Sequence, residues 1–166
     1  MTASENFVRR YAGIYEHSPW VAEEVAEFAV DCDSIDCIAA IMADCVDNAS
    51  TERQLALIRA HPDLAGKAQV GGELTPDSMT EQARAGLDCC TPAEYARFQE
   101  LNDRYRDKFG FPFVMAVRHS SRAEILAAFE QRLGNDATTE FETALAEIHK
   151  IALLRLHALQ AAETEQ

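Results

Sequence analysis

A chain of 166 residues, 48% hydrophobic and 26% charged, fits one domain with one core. Its formal net charge of -13 argues against nucleic acid, whose phosphates need a basic surface, and disfavours an anionic membrane. A small anionic substrate stays possible, because one local Arg outweighs a distant negative field that salt screens.

No apolar run reaches the roughly 20 residues of a membrane span. The opening MTASENFVRRY lacks the apolar stretch of a signal peptide, and the closing AAETEQ is not a peroxisomal address. Cys32, Cys37, Cys45, Cys89 and Cys90 form no CxxC pair and leave one odd cysteine. The expectation is reduced thiols in a cytosol, hence a cytoplasmic protein.

Phe7 to Tyr15 is apolar enough to pack as a helical turn or two. Ser18 is a natural cap and Pro19 a natural first residue for a helix from about Pro19 to Val30, with Val21, Val25, Phe28 and Ala29 at helical spacing. Ser34 caps a second helix carrying Ile38, Ile41, Met42 and Val46, which Asn48 to Ser50 breaks. Ser50 or Thr51 starts TERQLALIRA, and Pro62 stops it by pushing the residue before it out of the helical region. Pro62 to Pro76 has glycines but no period, and reads as a loop with room for one short helix in DLAGKA.

Ser78 and Glu81 have the spacing of a capping box for a helix reaching about Gly86. Thr91-Pro92-Ala93-Glu94 repeats the pattern before a long helix with Tyr95, Phe98, Leu101 and Tyr105 on one face and Gly110 as its stop. Phe111 to Val117 is the one extended-looking apolar run. Ser121 and Glu124 box another helix, which Gly134 closes. A last helix, from about Thr138 to Gln160, carries Phe141, Leu145, Ile148, Ala152, Leu156 and Leu159. The expected fold is all-α, a single-domain bundle over residues 1–166 of about seven to eight helices with one short extended segment.

Chemistry-bearing residues gather between Arg59 and Gln82. His61 ends a helix at Pro62, either as a capped histidine or as an acid/base group with an ordinary pKa near neutrality. Ser78, Glu81 and Gln82 either only cap a helix or hold a ureido group or carboxylate where free N–H groups favour anions. The Phe111–Val117 backbone is either core or a partner for a hydrogen-bonding heterocycle. Arg155, between Leu154 and Leu156, either snorkels or, if inward, needs an anion. His17, His119, His149 and His157 lack metal-type spacing, and neither a Gly-rich phosphate loop nor a GxSxG elbow occurs.

Taken in order, Tyr15-Glu16-His17-Ser18-Pro19-Trp20, Ala60-His61-Pro62-Asp63-Leu64-Ala65-Gly66, Ser78-x-x-Glu81-Gln82, Gly86-Leu87-Asp88, Leu101-Asn102, Phe109-Gly110-Phe111-Pro112-Phe113-Val114 and Glu147-Ile148-x-Lys150-Ile151-Ala152-x-x-Arg155-Leu156 resemble the OHCU decarboxylases of urate breakdown. Cys89-Cys90 stands where that pattern has an apolar residue. The resemblance implies an all-helical, cofactor-free carboxy-lyase without a metal, often a homodimer. Its small-molecule substrate would be 2-oxo-4-hydroxy-4-carboxy-5-ureidoimidazoline (OHCU), converted to (S)-allantoin and CO2. It implies His61 and Glu81 as catalytic residues. It also implies substrate contacts from Pro62, from Ser78, Met79, Thr80, Glu81 and Gln82, from Phe113, Val114, Met115, Ala116 and Val117, and from Arg155. The reading from another class is a non-catalytic helical binding or interaction module whose capping boxes merely cap.

Overall fold

Side-chain caps decide where these helices begin. In the computed structural model, which describes residues 1–66 and 74–165, the described residues form eight α-helices, one 3-10 turn and no strand. Helix α1 (Ala3–Tyr11) opens with a capping box in which Thr2 accepts from the Glu5 N–H and the Glu5 carboxylate accepts from the Thr2 N–H. Helix α2 (Trp20–Ala29) starts without a side-chain cap, at Pro19. Ser18, expected to cap it, instead donates its buried hydroxyl to the Glu16 carbonyl at 2.9 Å. Ser34 caps α3 (Ile35–Asp47), and the Ser50 hydroxyl accepts from the Arg53 N–H at the start of α4 (Thr51–Ala60).

Helix α5 (Pro76–Arg84) begins earlier than the Ser78 spacing suggests. Thr75 is its cap and Pro76 its first residue, an arrangement that recurs at Thr91-Pro92 ahead of α6 (Pro92–Phe109). Both use the pre-set φ of a first-turn proline together with a threonine hydroxyl acceptor. Leu87–Cys89 form the 3-10 turn between them. Gly110 ends α6 at φ 75°, where a side chain would be strained. Helix α7 (Arg122–Leu133) carries the expected Ser121–Glu124 box, and α8 (Ala137–Thr164) runs a few residues past the expected end. The expectation of a short helix in DLAGKA falls partly on residues 67 and 68, which lie outside the described ones. No described helix is long and apolar enough to cross a membrane.

Packing sorts the chain into two compact units, Met1–Ala60 with Ile148–Gln166, and His61–Glu147. In the first, α2 packs on α1 and α3, with Tyr15, Val21, Met42, Ile58 and Leu156 fully buried. Arg155 is buried beside Glu16, with 2.8 Å between guanidinium and carboxylate, and also donates to the Ile14 carbonyl at 3.3 Å. Tyr15 Oη lies 2.9 Å from His149 Nδ1, whose Nε2 lies 2.9 Å from Asp47. Burial raises the Tyr15 pKa, so the phenol stays protonated. The cysteine expectation needs correcting here: Cys32 and Cys37 are disulfide-bonded, with Cα atoms 5.8 Å apart, whereas Cys45, Cys89 and Cys90 are free. The turn from α2 into α3 brings together two residues that carry no CxxC signature.

The second unit pairs α6 with α7, and α5 with the 3-10 turn. Its core is aromatic. Phe113 stacks flat on Phe129 with centroids 3.9 Å apart, and Tyr105 meets Phe113 edge-on at 5.4 Å. Phe111–Val117 is neither helix nor strand, and its anchor is a buried charge. Glu140, wholly buried, accepts from the Tyr105 hydroxyl, from Arg132 Nε at 3.0 Å and from Asn135 Nδ2 at 2.8 Å. Arg132 reaches on to the Val114 carbonyl at 2.7 Å and lies over the Phe113 ring. Burial, helped by the neighbouring Glu140, pushes the Tyr105 phenol up, keeping it a donor.

Truncation of one partner in such a buried pair leaves the other charge uncompensated. Glu140→Ala is therefore expected to lower the unfolding free energy by about 3–5 kcal/mol in urea titrations. The exposed caps add a pH dependence. The Ser121 N–H holds the Glu124 carboxyl below its usual pKa, and the Thr139 N–H does the same for Asp136. A depressed carboxyl stabilises above its unfolded pKa and loses that contribution as pH falls through the folded one. Acid unfolding of the Glu124→Ala, Asp136→Ala double variant is expected to show a shallower pH slope in this range than the wild type, because both depressed carboxyls are gone.

Candidate active site

Helix α4 ends at Ala60, and Pro62 keeps His61 out of helical geometry. His61 is buried, 7% exposed. The chain then turns through Ala65, which sits at φ 49°, a left-handed conformation costing an L-residue roughly 1–2 kcal/mol. Gly66 closes the turn, and a Cβ there would stand 2.8 Å from Asp63 Cβ, so only glycine fits without movement.

Helices α5 and α6 supply the bonds that hold this strained turn. Gln82 accepts from the Ala65 N–H at 3.0 Å and donates to the Asp63 carbonyl at 3.2 Å. Asn102 Nδ2 donates to the Leu64 carbonyl at 2.9 Å, and Gln99 Nε2 to the Ala65 carbonyl at 2.7 Å. Arg106 closes on the Asp63 carboxylate at 2.6 Å. Three successive carbonyls, of Asp63, Leu64 and Ala65, thus each accept an amide from a side chain.

The early start of α5 moves the expected anion cradle. Glu81 and Gln82 lie past its first turn, where main-chain N–H groups are bonded within the helix. The helix start falls at Pro76–Ser78 instead, and the Ser78 N–H donates to the Thr75 hydroxyl at 3.3 Å. Ser78 and Gln82 are buried, Glu81 is half-buried and Met79 is exposed. The Thr80 hydroxyl donates to the Pro76 carbonyl at 2.9 Å. Gln82 is committed on both ends of its amide to the turn after His61, and so joins that turn to the helix bearing Glu81.

In the segment 111–117, Phe113 and Val114 are buried in the core. The Val114 carbonyl accepts from Arg132, the Ala116 N–H donates to Glu147 at 2.9 Å, and the Val117 carbonyl accepts from Ser120 at 3.0 Å. Three of the main-chain groups expected for a ligand are thus bonded within the protein. Arg155 belongs to the other unit, where Glu16 supplies the anion that an inward arginine needs. A cleft of about 590 Å3 lined by Arg84, Gly86, Glu94, Ser121, Arg122 and Leu126 includes none of the residues expected to be catalytic or to contact substrate. Among the described residues, no group of three or more His, Cys, Asp or Glu is placed to hold a metal ion.

A profile of the OHCU decarboxylase family matches residues 2–157. The chain belongs to this family. It is 48% identical over 155 residues to the 2-oxo-4-hydroxy-4-carboxy-5-ureidoimidazoline decarboxylase of Halalkalicoccus jeotgali, covering 93% of this chain and 85% of that protein. It is 47% identical over 152 residues to the protein of that name from Haloferax volcanii, covering 92% and 88%. Among solved structures it resembles an (S)-allantoin synthase with a TM-score of 0.76 at 35% identity, covering 95% of this chain but only 51% of that one. It also resembles an OHCU decarboxylase crystallised in the presence of (S)-allantoin, with a TM-score of 0.65 at 26% identity, covering 82% and 89%.

Sequence reasoning quoted Asn102 as part of a motif but gave no role to it, nor to Gln99 or Arg106, whose side chains all contact the turn after His61. One signal was present, since Asn102 sits among the apolar residues Phe98, Leu101 and Tyr105 on the buried face of α6. Gln82→Ala is expected to leave the Ala65 N–H and Asp63 carbonyl unpaired, to cost about 1–3 kcal/mol in chemical unfolding, and to lower turnover even where the variant is fully folded.

Proposed function

We propose that this chain decarboxylates OHCU to (S)-allantoin, with His61 and Glu81 handling the protons. The observation that carries the assignment is the Gln82 latch, which ties the turn after His61 to the helix of Glu81 in a chain matching the decarboxylase family along nearly all its length.

The substrate's chemistry explains what such a site has to do. Ring carbon C4 carries a hydroxyl and the carboxylate, and its neighbour C5 carries the ureido group and a C=N bond. When the C4–carboxylate bond breaks, CO2 leaves and the electron pair forms C4=C5. The C=N pair moves onto the ring nitrogen, which takes a proton. The resulting enol loses its hydroxyl proton to become the C4 carbonyl, and C5 takes a proton on one face. The ring imine is therefore the electron sink, and the reading includes no cofactor. His61 delivers the proton that sets the S centre, and Glu81 assists its transfer. Glu81 beside the departing carboxylate also disfavours the charged ground state.

Pro62 aims the His61 ring. The Ser78–Gln82 segment, with Met79 and Thr80 within it, and the main chain of Phe113–Val117 hold the ureido group and ring amide. In the first segment this falls to groups other than the Gln82 amide, and in the second to groups other than the Val114 and Val117 carbonyls and the Ala116 N–H. Arg155 is carried over as a substrate contact on the resemblance alone. The same resemblance supports a homodimer, whereas the cytoplasmic placement rested on reduced cysteines and loses that ground with the Cys32–Cys37 disulfide.

Adding the protein to fresh OHCU is expected to give one enantiomer of allantoin by circular dichroism, whereas spontaneous decay gives the racemate. His61→Ala is expected to lose about 10²–10⁴ in kcat, and Glu81→Ala to fall in the same direction. Full activity in both variants would sink the assignment.

A further inference from the structure

We propose that Asn102 is a positioning residue for the proposed reaction, setting the His61 turn through the Leu64 carbonyl, with Gln99 and Arg106 acting beside it. The inference rests on His61 being the proton donor.

Asn102 is 4% exposed, and its neighbours Phe98, Leu101 and Tyr105 are fully buried. Its Nδ2 faces the Leu64 carbonyl at 2.9 Å, which fixes the amide's orientation, since a flip would set two oxygens against each other. In that orientation Oδ1 is buried and has no partner among the described residues. An unmet buried acceptor costs about 1–3 kcal/mol. A leucine of similar volume would fill the position without that oxygen. The amide is thus accounted for by its N–H, and the N–H acts on the turn that leaves His61.

The spacing of the companions supports this. Residues 99, 102 and 106 fall on one face of α6, at the three- and four-residue steps that make helical neighbours. All three contact the segment 63–65. Gln82 holds the same segment from α5. The turn has little tolerance of its own, because Ala65 is left-handed and Gly66 lies against Asp63. Slackening it by one bond displaces the imidazole rather than removing it. A displacement of about 1 Å in a reacting group costs on the order of 10²-fold in rate.

The test is Asn102→Leu in the full chain, read by Tm, by kcat and KM separately, and by the enantiomeric purity of the allantoin. The expected result is a folded protein whose kcat falls roughly 10- to 100-fold while KM changes far less, and whose product loses enantiomeric purity because the proton arrives on a less defined face. Unchanged kcat and purity, or a kcat that falls only with the unfolded fraction, would overturn the proposal. Should Asn102→Leu fail to fold, the half-buried Gln99→Leu carries the same expected and overturning results. If the wild type itself yields only racemic allantoin, the reaction assignment fails. Positioning is then read from the His61 ring resonances in Asn102→Leu, or in Gln99→Leu if that variant replaces it. They must shift from the wild type, and identical resonances refute it.

Discussion

The site depends on one amide. Gln82 accepts from Ala65 and donates to Asp63, so a loop that would otherwise relax out of a left-handed conformation is bonded to a helix. A side chain amide suits this task because it offers a donor and an acceptor a short distance apart, matching the main chain of a tight turn. A carboxylate lacks the donor and an ammonium lacks the acceptor. Because Gln82 directly follows Glu81, the bond that steadies the turn after His61 also fixes where the Glu81 helix sits beside it.

The scaffold around this latch is polar at its most buried points. Glu140 binds Tyr105, Arg132 and Asn135, and Arg132 continues to the Val114 carbonyl, so one buried carboxylate organises the segment 111–117 as well as α8. The pairing brings no clear gain in stability over an apolar core, since desolvating both charges offsets most of their attraction. What it supplies is direction. A segment outside helix and sheet cannot satisfy its own main chain, and a forked guanidinium can reach its carbonyl while holding a second partner. The first unit uses the same device, with Arg155 bridging Glu16 and the Ile14 carbonyl.

The loop that carries the chemistry has no regular structure, and Gln82, Gln99, Asn102 and Arg106 hold it from two helices. Left-handed Ala65 and the close approach at Gly66 store conformational cost there. Asn102 adds an acceptor that is unmet among the described residues. These costs gather next to the proposed acid/base residue, where a defined geometry is worth more than a fraction of the stability.

Local chemistry was legible from the residues. Apolar periodicity and the stops at Pro62 and Gly110 foretold most helices, and the ordered motifs around His61 and Glu81 pointed to the family, because these signals involve residues within a turn or two of one another. The start of α5 was also within reach, since Thr75-Pro76 repeats Thr91-Pro92, but the Ser78–Glu81 spacing competed with it. Long-range pairing was decided only in the folded chain. The partners of Asn102 and Gln99 lie 38 and 34 residues away, those of Arg155 lie near the opposite end of the chain, and the Cys32–Cys37 bond depends on how one helix turns into the next. Spacing along the chain says which side chains can share a face, whereas the identity of the group facing them depends on how separate helices pack.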